Sequence, residues 1–132
     1  MDVLFVDTSA WYALANEKDI NHLRARQFLA ENRRLVTSNF VIDETITLTL
    51  IRAGYEQALS VGEQLWRRQL ASIVWITRDD EQTAWELFKR YDDKTFSFTD
   101  CTSFAVMTRL GLIHAFTFDD DFTQTGQFTR VP

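Results

Sequence analysis

Two carboxylates close apolar, β-prone segments at opposite ends of the chain. Asp7 directly follows VLFV (Val3–Val6), and Asp119 directly follows IHAFTF (Ile113–Phe118). If both segments are strands of one parallel sheet, their carboxyl ends share an edge, where open α/β sheets bind ligands. Either residue alone is equally well read as an ordinary polar cap after a strand. Together they predict a concentration of negative charge at one edge.

The second of these segments ends in three consecutive aspartates, Asp119–Asp121. Two like charges about 4 Å apart, in an effective dielectric near 20, repel by about 4 kcal/mol. Full solvation, helix capping or a bound cation would each offset that repulsion. The other acids of the chain bear on the choice.

Glu44 lies in a helical stretch that is apolar on more than one side. An advance of about 100° per residue places Glu44 in one arc with three apolar residues, Phe40, Leu48 and Ile51. A carboxylate in an apolar stripe is rarely buried without a partner, and a buried arginine would serve as one. The far side of this helix is also apolar, so periodicity separates Glu44 from neighbouring Asp43 only weakly.

Asp100 faces inward at the start of its predicted helix, one and two turns before Phe104 and Met107. A capping box with Ser97 would explain it without any ligand. Four acids that converge on one sheet edge are harder to explain without a cation. Oxygen ligands with no nearby Cys or His favour a hard ion, Mg²⁺ or Mn²⁺.

The elements that must position these acids alternate along the chain. Strands are predicted at Val3–Val6, Leu35–Thr37, Ser72–Ile76, Ile113–Phe118 and around Phe128–Val131. Helices are predicted over DTSAWYALAN, INHLRARQFLAENRR, the stretch from Ser38 as N-cap to Gly54, YEQALSVGEQLWRRQL, DDEQTAWELFKRY and FTDCTSFAVMTRLG. Short connections between alternating strands and helices give right-handed crossovers. The sequence therefore predicts a three-layer α/β/α fold with a mostly parallel sheet, as one domain over residues 1–132.

Composition restricts the class of protein. The 132 residues include one cysteine, Cys101, so an internal disulfide framework and a thiolate zinc cluster are excluded. No apolar run has membrane-spanning length and the start MDVLFVDTS is unlike a signal peptide, so we expect a cytoplasmic protein without membrane contact. A net charge of −5 repels nucleic-acid phosphates, so the binding of a polyanionic substrate requires a bound metal ion or a local positive patch.

Four segments together resemble the acidic motifs of PIN-domain nucleases, most closely the VapC-type toxins of prokaryotic toxin–antitoxin pairs. The segments are FVDTSAW, TSNFVIDE, FSFTDCTSFAVM and FTFDDDF, and the resemblance extends to DINHLRA and YDDKTFSFTDC between them. A single Asp-Thr-Ser is a weak signal. The order, the spacing and the total length are together specific.

The resemblance implies an acidic site of Asp7, Glu44, Asp100 and Asp119. It implies that Asp7 and Asp100 bind Mg²⁺ or Mn²⁺ directly, and that Glu44 and Asp119 act through water or a second ion. Asp121 matches a position that is often acidic in the family. The nearby hydroxyls of Thr8, Ser9, Ser97, Thr99 and Thr117 are suited to orienting carboxylates or waters, and equally to capping.

The implied activity is hydrolysis of RNA phosphodiester bonds by a toxin that forms a homodimer and is covered by a small antitoxin protein. Metal ions suit this chemistry because they neutralise phosphate oxygens and lower the pKa of a water, so no histidine base is needed. We expect His22 and His114 to pack or to form hydrogen bonds. The arginine pairs Arg33–Arg34 and Arg67–Arg68 are candidates for RNA contact, although such pairs are more often solvated surface. The region of Trp66 and Leu70 is a candidate for the dimer interface or for core packing.

Three alternatives stand beside this one. A phosphatase of the haloacid-dehalogenase type needs Asp-x-Asp after its first strand, and here Ser9 occupies the second position. A receiver domain needs an aspartate after a middle strand, where Asp79 and Asp80 follow SIVWIT. A non-catalytic binding module would use the acids as surface caps. Loss of activity with a retained fold on mutating single acids distinguishes catalysis from binding alone.

Overall fold

A computed structural model describes residues 3–31 and 34–132 of the chain. The strands are β1 (Val3–Val6), β2 (Arg34–Ser38), β3 (Ser72–Val74), β4 (His114–Phe116) and β5 (Thr129–Val131). The helices are α1 (Thr8–Ala15), α2 (His22–Leu29), α3 (Asn39–Ala53), α4 (Tyr55–Trp66), α5 (Arg78–Arg90), α6 (Phe98–Leu110) and α7 (Asp121–Gln124). In this part of the chain no helix combines the length and apolar character needed to span a membrane.

The predicted α/β fold is confirmed. Within the described residues the strands form one five-stranded sheet in the order β3-β2-β1-β4-β5, and every neighbouring pair is parallel. The chain order reverses at β1, which lies between β2 and β4. The carboxyl ends of β1 and β4 are therefore adjacent, with Val6 paired to Phe116. This is the edge at which an open parallel sheet binds ligands.

Helices cover the sheet in a three-layer arrangement, and aromatic side chains fill the core between the layers. Trp11, Phe5, Phe104, Phe116 and Phe122 are the largest fully buried side chains. The Trp11 indole also donates a hydrogen bond to the Thr37 hydroxyl, which in turn donates to the Val6 carbonyl. This chain of bonds ties α1 to β1 and β2 beside the edge where the acids lie.

The helix that carries Glu44 begins and ends as predicted. The Ser38 hydroxyl accepts a hydrogen bond from the Val41 amide, which caps one of the free donors of the first turn. Gly54 ends the helix with φ of 99°, a backbone conformation that residues with a Cβ rarely adopt. Ser38 is also the last residue of β2, where it pairs with Val74 of β3, so α3 starts at the same edge of the sheet as Asp7.

Two predicted details are wrong. The second predicted helix ran through to Arg34, but α2 ends at Leu29 and Arg34 begins β2; Asn32 and Arg33 lie outside the described residues. The strand before Asp119 ends at Phe116, so Asp119 is on the loop after β4 and does not directly follow the strand. Thr117 therefore stands between strand and acid, with a role described below.

Helices α5 and α6 are joined by an ion pair between a buried aspartate and an exposed arginine. Arg109 on α6 donates from Nε and a terminal nitrogen to the two oxygens of Asp80 on α5, both at 2.9 Å. Burial alone would raise the pKa of Asp80, but the hydrogen bonds from Arg109 hold that pKa below its usual range. Both oxygens of Asp80 are therefore occupied by Arg109. Asp80 does not serve as the free aspartate that a receiver domain requires after its middle strand.

Candidate active site

One cavity of about 520 Å³ brings together the predicted acids. Its lining includes all four carboxylates that we selected from the sequence, and Asp121 with them. They come from the end of β1, the second turn of α3, the start of α6 and the segment after β4. The rest of the lining is Thr8, Ser9, Tyr12, Asp19, Asn21, Leu48, Arg52, Thr95, Ser97 and Phe118.

Asp7 lies at the bottom of this cavity, with only 2% of its surface exposed. One carboxylate oxygen accepts a hydrogen bond from the Thr117 hydroxyl at 3.0 Å and a longer one from Ser9 at 3.4 Å. The other oxygen, Oδ1, is buried without any hydrogen-bond partner among the described residues. A buried carboxylate oxygen without a partner is costly, so this atom is the strongest sign that a ligand belongs here.

Hydroxyls hold the loop that carries Asp119 against the end of β1. The Ser9 hydroxyl accepts from the Phe118 amide at 2.9 Å and lies 3.0 Å from the Thr117 hydroxyl. Thr117 also accepts from the Asp119 amide at 3.1 Å. Ser9 and Thr117, which the sequence analysis named as supporting residues, thus hold the backbone of Asp119 in a fixed position relative to Asp7.

Glu44 lines the cavity and Asp43 is exposed, which is the orientation we preferred. Thr8 donates a hydrogen bond to Glu44 at 2.5 Å, so the glutamate is anchored to α1. The apolar arc that favoured Glu44 in the sequence is not a buried face, because Ile51 in that arc is 75% exposed. The buried face of α3 is a different one, formed by Val41, Ile42, Thr45 and Thr49. The arc of Glu44 faces the cavity and not the core.

Asp100 caps its helix and also lines the cavity. It closes a capping box at the start of α6: its carboxylate accepts from the Ser97 amide and its own amide donates to the Ser97 hydroxyl, both at 3.0 Å. The same carboxylate lines the cavity. The cap fixes the side chain, and the helix start points it at Asp7.

Burial and mutual repulsion raise the pKa values of these acids. Burial, with the negative charge of Asp119 added, raises the pKa of Asp7 to about 7. Burial and the charge of Asp7 raise the pKa of Asp100 to about 8. The pKa of Asp119 is also raised, by burial first and then by Asp121. Strongly perturbed carboxyls that share a cleft are typical of functional sites.

The donor set fits a hard divalent cation. Mg²⁺ and Mn²⁺ prefer carboxylate oxygens to the nitrogen of His or the sulfur of Cys. The Asp7 Oδ1 atom, which has no hydrogen-bond partner among the described residues, is suited to bind such an ion. In the described part of the chain no three acidic, His or Cys side chains stand close enough together to enclose an ion by themselves. Mg²⁺ usually keeps several of its waters and binds proteins through one or two carboxylates, which does not require three acids in contact.

The three consecutive aspartates divide their tasks. Asp119 and Asp121 line the cavity, whereas Asp120 lies outside it and accepts a hydrogen bond from Arg130 at 2.7 Å. The salt bridge relieves the charge of the middle residue, whereas the charges of Asp121 and Asp120 still contribute to the raised pKa of Asp119. Solvation alone is not the explanation.

The histidines behave as predicted. His22 is buried on α2 with Nδ1 2.7 Å from the Ala13 carbonyl oxygen, and His114 lies in β4. Neither lines the acidic cavity. Cys101 is a buried free thiol, whose pKa burial raises to about 11.

The described members of the arginine pairs lie outside the cavity. Arg67 forms an exposed salt bridge with Glu63 at 2.7 Å, and neither Arg67, Arg68 nor Arg34 is part of the cavity lining. Arg33 lies outside the described residues. The cation that does line the cavity is Arg52, which the sequence analysis overlooked. It stands eight residues, a little over two turns, after Glu44, so the same helical periodicity would have found it.

The chain belongs to the PIN domain family, whose model matches residues 4–127. It is 39% identical over 125 residues to the 23S rRNA-specific endonuclease VapC20 of Mycobacterium tuberculosis, an alignment that covers 94% of this chain and 95% of that protein. The crystal structure of VapC20, a sarcin-ricin loop cleaving toxin, matches with a TM-score of 0.91 and 38% identity over 97% of this chain and 98% of that chain.

More distant structures share the fold. FitAcB from Neisseria gonorrhoeae matches with a TM-score of 0.73 at 12% identity, over 98% of this chain and 96% of that chain. VapBC2 from Rickettsia felis, bound to a DNA fragment from its promoter, matches with a TM-score of 0.71 at 13% identity, over 98% and 97%. Membership of the PIN family excludes the phosphatase and receiver-domain alternatives.

Proposed function

We propose that this protein is a metal-dependent endoribonuclease and the toxin of a toxin–antitoxin pair. Asp7 and Asp100 hold Mg²⁺ or Mn²⁺ directly, Asp119 contributes through water or a second ion, and Glu44 completes the catalytic set. The observation that carries the proposal is the buried Asp7 Oδ1, which lacks a partner among the described residues at the foot of a cavity lined by further acids.

The residues of the chain contribute positioning and charge. When bound, the divalent ion neutralises phosphate oxygens and lowers the pKa of the attacking water. Thr117 and Ser9 hold the Asp7 carboxylate, and Thr8 holds Glu44 where it can accept a proton from that water. The Ser97 cap fixes Asp100. The water oxygen bonds to phosphorus as the bond to the leaving ribose oxygen breaks.

The substrate we propose is the sarcin–ricin loop of 23S rRNA. VapC20 is named for activity on that rRNA, and it shares 39% of its residues with this chain along nearly the whole of both.

The toxin role brings further expectations: a small antitoxin protein that covers the cavity, a homodimer, and a location in the cytoplasm as one domain over residues 1–132. The stacked, half-exposed pair Trp66 and Trp75 is a place to test for the dimer contact.

The test is incubation of the purified protein with ribosomal RNA, with Mn²⁺ or with EDTA. We expect a discrete cut with Mn²⁺ that EDTA abolishes. Asp7→Asn and Asp100→Asn should remove cleavage with nearly unchanged circular dichroism, because the change keeps size and removes charge. Asp92→Asn, at an exposed acid outside the cavity, is the matched control and should cleave normally. Full cleavage by both site variants would refute the assignment, and a bound but uncut RNA would favour the binding module.

A further inference from the structure

Arg52 lies on the same face of α3 as the catalytic glutamate. Glu44, Leu48 and Arg52 are spaced four residues apart, and all three line the acidic cavity. At 1.5 Å of rise per residue, the Cα atoms of Glu44 and Arg52 are about 12 Å apart along the helix axis. Arg52 is therefore part of the same cleft, and its backbone lies about two helical turns from that of Glu44.

The side chain is held in place by an aromatic ring. The Arg52 guanidinium carbon lies 5.6 Å from the centre of the Tyr12 ring. Tyr12 is itself fixed, because it is buried and its hydroxyl accepts a hydrogen bond from Asn16 at 2.8 Å. A cation on a ring face keeps its N–H donors, which lie at the edge of the guanidinium plane, available to other groups.

Those donors have no acceptor in the described residues. Arg52 makes no hydrogen bond and no salt bridge within that part of the chain, although six carboxylates line the cavity with it. Those six are Asp7, Asp19, Glu44, Asp100, Asp119 and Asp121. Of the described residues that line the cavity, Arg52 alone is cationic. A planar fork of unused donors is the group that recognises a phosphate bidentately.

We propose that Arg52 is a substrate-binding residue that holds an RNA phosphate flanking the one that is cut. The inference rests on the proposed function and adds to it the local device that an acidic protein needs to retain a polyanion. A phosphate about two helical turns from Glu44 is bound equally in the ground state and in the transition state. Loss of the contact therefore raises KM and leaves kcat nearly unchanged.

Binding and cleavage are measured separately, so that the two proposals can fail separately. The binding arm uses a fluorescent RNA hairpin with the sarcin–ricin sequence, Mg²⁺, and the protein carrying Glu44→Gln so that it does not cut. Arg52→Met is added to keep the stem and remove the charge, Arg52→Lys to keep charge without the fork, and Arg24→Met as control. Arg24 is an exposed arginine on α2 outside the cavity lining.

We expect Arg52→Met to raise Kd about tenfold, and to lower the slope of log K against log salt by about 0.7 to 0.9. Arg52→Lys should fall in between, and Arg24→Met should stay within about twofold. In the cleavage arm, Arg52→Met in the otherwise unchanged protein should raise KM about tenfold with kcat within about twofold.

Unchanged Kd and KM for Arg52→Met would overturn the inference, as would an equal loss in Arg24→Met or a fall in kcat at constant KM. A protein that binds no RNA at all would overturn it too. Binding that depends on Arg52, in a wild-type protein that cuts nothing, would support the phosphate contact and refute the proposed hydrolysis. Melting temperature is recorded for each variant, because an arginine in the last turn also stabilises a helix modestly.

Discussion

Adjacent acids on α3 have different surroundings although they differ by one residue in position. Glu44 accepts a hydrogen bond from Thr8 and lines the cavity, whereas Asp43 is exposed. A step of about 100° around the helix is enough to separate a carboxylate that lines the cavity from one that faces solvent. The pair therefore provides a matched test of catalytic role within one turn.

Glu44→Gln should reduce the cleavage rate by orders of magnitude, because an amide cannot accept a proton from water as a carboxylate does. Asp43→Asn should change the rate by less than about tenfold, which is under about 1.4 kcal/mol of barrier. Both rates are measured on one RNA at saturating Mn²⁺. The opposite ranking would show that Asp43 is the working residue.

At the scale of elements, the same capping motif serves two purposes. Thr77 and Asp80 cap α5 with the same reciprocal bonds that Ser97 and Asp100 use at α6. Asp80 then pairs with Arg109, whereas Asp100 faces the cavity and has a pKa raised to about 8. The partner across the helix pair determines whether the capping carboxylate is structural or functional.

Asp80→Ala should destabilise the fold by about 1–3 kcal/mol, because it removes the carboxylate half of the capping box and the two charge-assisted hydrogen bonds from Arg109. Asp79→Ala, one residue earlier and exposed, should change the free energy of unfolding by less than about 0.5 kcal/mol. Urea unfolding followed by circular dichroism measures both. Equal effects of the two substitutions would show that the ion pair contributes little.

At the scale of the whole molecule, the clustered acids make stability depend on pH. Carboxyls titrate near pH 4 in the unfolded chain, but Asp7 and Asp100 have folded pKa values of about 7 and about 8. The folded state binds more protons in that window, so these groups lower stability as pH rises from about 4 to about 8. The melting temperature of metal-free protein should fall between about pH 5.5 and pH 8.

Divalent metal should reverse this trend. Millimolar Mg²⁺ or Mn²⁺ should raise the melting temperature, and more at about pH 8 than at about pH 5.5, because the ion binds the deprotonated site of the folded state. Asp7→Asn should flatten the pH profile and remove most of the metal response. A melting temperature that is indifferent to metal at either pH would argue against a cation site.

Much of this was predictable because it depends on local chemistry. The Ser38 cap and the Gly54 stop follow from residue types, and the resemblance of four motifs brought the acids together. Other features depend on packing that periodicity does not contain. The buried face of α3 was misjudged because the helix is apolar on several sides. Helical periodicity places Arg52 on the face of Glu44, but the contact of its guanidinium with Tyr12, forty residues away, is not visible in the sequence.

The hydrogen bond from Thr117 to Asp7 joins residues 110 positions apart, across the two central strands of the sheet. A ribosome that synthesises this chain has released Asp7 long before it adds Thr117, Asp119 and Asp121. Until then β1 has its partner β2 on one side and an open edge on the other, and the catalytic cleft has no second wall. The chain thus acquires its capacity to cut RNA only after the segment from Thr117 to Asp121 has left the ribosome.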